Sequence, residues 1–179
     1  MQSIQTVSEN TIYVGASDRR LAKFENLFPI PRGVSYNAYV ILDEKNALLD
    51  TADASVGAQF LENVAAALDG RKLEYLRLGV TAKPPPMLKM YFPTDSAAID
   101  DALVVKEGDT LDLGKHKLTF VMAPMVHWPE VMMTFDTTTG TLFSADAFGT
   151  FGALAGALFA DEVDFAGKWL DDARRYYTN

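Results

Sequence analysis

The feature that most restricts the fold is a pair of short apolar runs closed by a polar turn. Val131-Met132-Met133-Thr134-Phe135 and Thr141-Leu142-Phe143-Ser144 flank Asp136-Thr137-Thr138-Thr139-Gly140. Runs of this length and composition, bounded by turn residues, read as the two strands of a hairpin. His127 stands just before the first strand and Asp146 just after the second, so the hairpin carries both to the same end. An imidazole nitrogen and a hard carboxylate oxygen at adjoining strand ends are what a metal site needs. His127 and Asp146 are therefore the candidate metal ligands.

The rest of the chain repeats the strand–turn pattern. Thr11 to Gly15, Tyr39 to Leu42, Ala47 to Asp50, Leu73 to Leu78 and Lys117 to Met122 read as strands, and Asp43 to Asn46 as a hairpin turn. Asp18 to Pro31 reads as a connection, because Pro29 and Pro31 disfavour helix around Ile30. Asp53 or Ser55 can cap a helix with Phe60, Leu61, Val64 and Leu68 on one face and Gly70 as its stop. Gly79 to Ala82 looks like a further strand, followed by Pro84-Pro85-Pro86 and a short helix over 87–92. Val104 and Val105 begin another strand. Asp161 or Asp164 can cap a last helix bearing Phe165, Trp169, Ala173 and Tyr176. The pattern predicts roughly ten strands and two or three helices, an α+β arrangement of mostly antiparallel sheets with helices outside.

Composition narrows the function classes. A chain of 179 residues suffices for one domain with a sizeable core. Its net charge of -8 argues against nucleic acid and anionic membrane as partners. With no cysteine, thiolate metal sites, disulfides and a cysteine nucleophile are excluded. That absence, and an N-terminus without a signal-peptide pattern, fit a cytoplasmic protein. No run is apolar and long enough for a membrane helix. Ser144 lacks the strained elbow a hydrolase nucleophile needs.

Several stretches, in order, resemble the N-terminal metallo-β-lactamase-like domain of flavodiiron proteins. They are Pro31 to Tyr39, Leu48 to Thr51, Lys106 to Gly114, Ala123-Pro124-Met125-Val126-His127-Trp128-Pro129-Glu130, and Phe143-Ser144-Ala145-Asp146-Ala147-Phe148-Gly149. The resemblance covers nearly the whole chain. It implies an αββα sandwich holding a non-haem di-iron centre that reduces oxygen or nitric oxide. It also implies FMN on a C-terminal flavodoxin-like domain, a homodimer, and an electron donor such as that domain or rubredoxin. His127 resembles an iron-ligand histidine, and Asp146 resembles the carboxylate that bridges the irons.

The departures are as informative. The family's H-x-E-x-D-H ligand motif should follow the strand ending near Leu78, and Gly79-Val80-Thr81-Ala82 stands there instead. A single domain over residues 1–179 is expected, shortened by roughly two dozen residues near 78–79 and truncated after 179, where a last histidine ligand and the flavodoxin-like domain would lie. Two histidines are too few for two irons, so the chain alone is expected to be inactive. The alternative is a non-catalytic scaffold of the same fold, binding a partner or dimerising through its exposed edge; a single-metal module using His127 and Asp146 is a third reading.

Other residues carry plainer readings. His116, in Gly114-Lys115-His116-Lys117, is read as a solvated turn residue. Met122, Met125, Met132 and Met133 are read as core filler, Trp128 as packing, Glu130 as a surface acid, and Asp50 and Asp53 as helix-start acids.

Overall fold

Tyr39–Ile41 (β7) and Asn46–Leu49 (β8) are apolar almost throughout, and a short turn returns the chain on itself. Asn46 secures that turn: its Oδ1 accepts the Asp43 N–H at 3.2 Å, and its Nδ2 donates to the Lys72 carbonyl at 2.7 Å. In the computed structural model, which describes residues 4–24, 26–77, 103–126, 129 and 131–177, this hairpin is the middle of a five-stranded sheet. Gln5–Ser8 (β1) and Thr11–Tyr13 (β2) lie on its β7 side, and Leu73–Arg77 (β9) on its β8 side. All pairs are antiparallel except β8 with β9, and the helix Gly57–Leu68 (α1) makes that parallel crossover.

The helix is fixed at both ends as its sequence suggests. Asp53 accepts the Ser55 N–H at 2.8 Å in the 3-10 turn that leads into it. Asp69 and Gly70 take left-handed φ angles of 46° and 78° at its end. Phe60, Val64, Ala67 and Leu68 pack on Val14, Ala38, Val40 and Leu48 of the sheet. Buried Asn63 reaches from the same face to the Val14 and Gly15 carbonyls at 3.2 and 3.0 Å, so its amide is satisfied. Gly15 cannot carry a side chain, since a Cβ would sit 2.2 Å from the Tyr36 carbonyl oxygen.

This sheet belongs to one compact unit, Met1–Arg77 with Phe148–Asn179; the other is Leu78–Ala147. The first unit differs from expectation in two places. The stretch from Asp18 to Pro31 is not a plain connection. Ala16–Asp18 (β3) pairs with Val34–Tyr36 (β6), and Lys23–Phe24 (β4) with Phe28–Pro29 (β5). The last helix is two short ones, Phe165–Lys168 (α2), capped by Asp164, and Leu170–Tyr176 (α3). They close over an aromatic cluster. Phe151 is buried with ring centroids 5.5 Å from Phe24, 6.0 Å from Phe28 and 5.3 Å from Tyr176. Arg32 pairs with Asp172 and lies over the Trp169 ring at 4.3 Å.

The second unit holds a four-stranded antiparallel meander: Thr110–Asp112 (β10), Lys117–Met122 (β11), Met132–Asp136 (β12) and Thr141–Phe143 (β13). The expected hairpin is β12–β13, with Asp136 opposite Thr141. Val104 and Val105 form no strand; regular pairing begins at Thr110. One face is buried and runs Leu118, Phe120, Met132, Thr134, Asp136 and Phe143. Among the methionines, Met132 fits the filler reading, whereas Met125 is 69% exposed. The expected strand at 79–82 and helix at 87–92 lie outside the described residues, as do His127, Trp128 and Glu130.

Candidate functional site

The meander has two ends of different chemistry. Strands β11 and β13 run the same way, so the segments after them, beginning at Ala123 and Ser144, leave the sheet at one end, on either side of the start of β12. The hairpin therefore does what its sequence implied for the segments bearing the two candidates, although His127 itself is not among the described residues. Asp146 is exposed, in a turn from Ala145 to Phe148 held by the Ser144 hydroxyl donating to the Ala147 carbonyl at 2.9 Å. The backbone here is unusual. Met125 and Ala145 adopt φ of 65° and 52°, a left-handed conformation that costs a residue bearing a Cβ roughly 1–2 kcal/mol. Such backbone strain clusters at functional sites.

Glu107 joins this end from the segment before β10. Its Oε2 accepts the Met122 N–H at 2.6 Å. No local pattern signals that Glu107 reaches the end of β11, because that contact spans fifteen residues.

The opposite end holds the other histidine, and here the solvated-turn reading is overturned. His116 is 2% exposed, and its Nδ1 lies 2.7 Å from Oδ2 of fully buried Asp136. Asp136 is not a turn residue but the last residue of β12, facing the core. It also accepts the Thr139 hydroxyl on Oδ2 at 2.6 Å and the Thr138 N–H on Oδ1 at 3.0 Å. Burial pushes the Asp136 carboxyl pKa up, but the bonds from Thr139, His116 and Thr138 outweigh it and hold the group below its ordinary range. The turn is bound a second time through Thr138, whose hydroxyl donates to the Lys115 carbonyl at 2.9 Å and accepts the Lys117 N–H at 3.3 Å.

Of the helix-start acids, only Asp53 plays that part. Asp50 instead ends β8 with φ 63° and receives Nη1 of Arg77 on both carboxylate oxygens, at 3.0 and 3.1 Å, tying the ends of the two parallel strands. Among the described residues no three His, Asp or Glu side chains gather closely enough to hold a metal ion. The donors among the described residues do not fit a two-metal centre. One imidazole is buried against its own carboxylate, and each ion of such a centre needs about three protein ligands.

Comparison with known proteins places this geometry. The family model for the ODP family beta lactamase matches residues 87–172. The anaerobic nitric oxide reductase flavorubredoxin of Klebsiella pneumoniae is 36% identical over 195 residues, covering 97% of this chain and 40% of the relative. Rubredoxin oxygen:oxidoreductase from Desulfovibrio gigas superposes with a TM-score of 0.88 at 28% identity, over 99% of this chain and 49% of the other. The flavodiiron protein of Giardia intestinalis shares the fold, with a TM-score of 0.82 at 23% identity over 100% of this chain and 48% of the other. The chain thus spans about two fifths of the curated relatives it matches. The 195-residue alignment draws on 97% of 179 residues, about 174, so a net gap of about 21 positions falls in this chain. No helix among the described residues is long and apolar enough to cross a membrane. The fold is the α+β metallo-β-lactamase type, and the chain is a homologue of the N-terminal β-lactamase-like domain of flavodiiron proteins.

Proposed function

We propose that this chain is the metal-domain portion of an oxygen or nitric oxide reductase of the flavodiiron type, and that these 179 residues alone do not turn over. The observation that carries the reading is 36% identity to a nitric oxide reductase across 97% of the chain, with the segments bearing His127 and Asp146 leaving one end of one sheet. The relatives' names speak of flavin, di-iron and rubredoxin. Iron at that end, FMN on a separate flavodoxin-like domain, a homodimer, rubredoxin or a flavodoxin-like domain as electron donor, and a cytoplasmic setting are taken from the resemblance of the sequence motifs. The alignment gap supports a shortened chain; its placement near 78–79 follows the sequence motifs alone.

The test is nitric oxide and oxygen consumption by the iron-loaded chain with reduced rubredoxin and a flavodoxin-like FMN domain added in trans. No turnover above the donors alone is expected. Sustained consumption that disappears in His127→Ala would overturn the claim of inactivity. A second reading, a non-catalytic scaffold of this fold, is favoured by Leu76, an apolar side chain 53% exposed on outer strand β9. Stoichiometric iron after purification from cells would count against it.

A further inference from the structure

We infer that His116 is a tether inside the four-stranded sheet and not a metal ligand, so that this chain has one imidazole left and takes up no more than one transition-metal ion. The inference rests on the flavodiiron-type reading only for the expectation of two irons. Everything else comes from the sheet itself.

The chain contains two histidines in all. His116 precedes β11 and the candidate end follows it, so the six residues of that strand separate them by about 20 Å. Two metals in a shared centre lie about 4 Å apart, so His116 cannot reach a centre at the other end. Nor is it available where it stands. Its Nδ1 faces Asp136, the residue is 2% exposed, and the oxygens of Asp136 are engaged by Thr138, Thr139 and His116 itself. Opening this network to a metal would take a hydrogen bond from a buried carboxylate, and leaving such a group short of a partner is costly.

At the candidate end the described donors are carboxylates. Asp146 is exposed, and Glu107 has one oxygen on the Met122 amide. Carboxylate oxygens suit hard cations such as magnesium, calcium and manganese, whereas imidazole suits iron. His127 is the one imidazole the sequence leaves for that end.

The experiment is a metal count on the whole chain. Wild-type, His116→Gln and His127→Ala proteins are loaded anaerobically with Fe(II), desalted and measured by plasma mass spectrometry, with urea unfolding in parallel. At most one iron per chain is expected in the wild type. His116→Gln should keep the wild-type count while its unfolding midpoint falls. Two irons per wild-type chain would overturn the inference, as would a His116→Gln protein that loses iron at an unchanged midpoint. Should His116→Gln fail to fold, 15N–1H spectra of wild-type imidazoles decide. The His116 Nδ1–H signal should be protected from exchange and unmoved by Zn(II); a shift on Zn(II) addition would refute the tether. Two irons without turnover would sink this inference and leave the proposed inactivity standing; turnover with one iron would leave this inference standing and overturn the inactivity.

Discussion

The two ends of the four-stranded sheet are built from similar residues and put to opposite uses. One end buries a histidine and an aspartate against each other and wraps them in two threonines, Thr138 and Thr139. The other leaves an aspartate in solvent and takes its turns through left-handed backbone at Met125 and Ala145. A carboxylate at the first end is a structural part whose loss the fold must feel. At the second it is an exposed turn residue. A His–Asp pairing in the sequence therefore says little about metal chemistry until the burial of each partner is known.

The largest expected effect breaks the closed end. His116→Ala leaves the buried Asp136 carboxylate without one of its hydrogen-bond partners and should lower unfolding free energy by about 1.5–3 kcal/mol in urea titrations. The same pair governs acid lability. Because the Asp136 pKa is depressed in the folded state, its contribution is present above the unfolded carboxyl pKa and is lost as pH falls through the folded value. Unfolding midpoints taken from pH 6 down to pH 2 should therefore drop more steeply for the wild type than for Asp136→Asn. A parallel fall in both would remove Asp136 as the cause.

The open end should respond with smaller changes. Ala145→Gly relieves a left-handed residue and should raise stability by about 0.5–1 kcal/mol, seen as a higher melting temperature. Thr134→Val, in the middle of β12, tests the buried face between the ends. Its hydroxyl is buried with no hydrogen-bond partner among the described residues, so the change should be neutral or stabilising by up to about 1 kcal/mol. Asp146→Ala should move stability by less than about 0.5 kcal/mol. A loss near that of His116→Ala would erase the contrast between the ends.

Much of the fold was legible because strand and helix periods are local. The β7–β8 turn, α1 with its Asp53 start and Gly70 stop, β11 residue for residue, and the β12–β13 hairpin could all be read from a few neighbouring side chains. The ribbons between Asp18 and Pro31 could not. Strands of two or three residues carry no period, and β3 finds its partner β6 sixteen or more residues away. The same limit hid the role of Asp50, whose partner Arg77 is 27 residues on.

Residue order alone determined that the segments holding His127 and Asp146 share an end, because an antiparallel hairpin returns its outer flanks to one place. It also set the histidine supply at two. The fate of His116 was decided in three dimensions. Between lysines and two residues after a glycine it has every local mark of a solvated turn residue, yet Asp136, twenty residues later, pulls it under the sheet. No local pattern encodes that contact, since it exists only once β11 and β12 have paired in register. The structure thereby turns a pair of histidines that might have shared a metal into one candidate ligand and one structural tether.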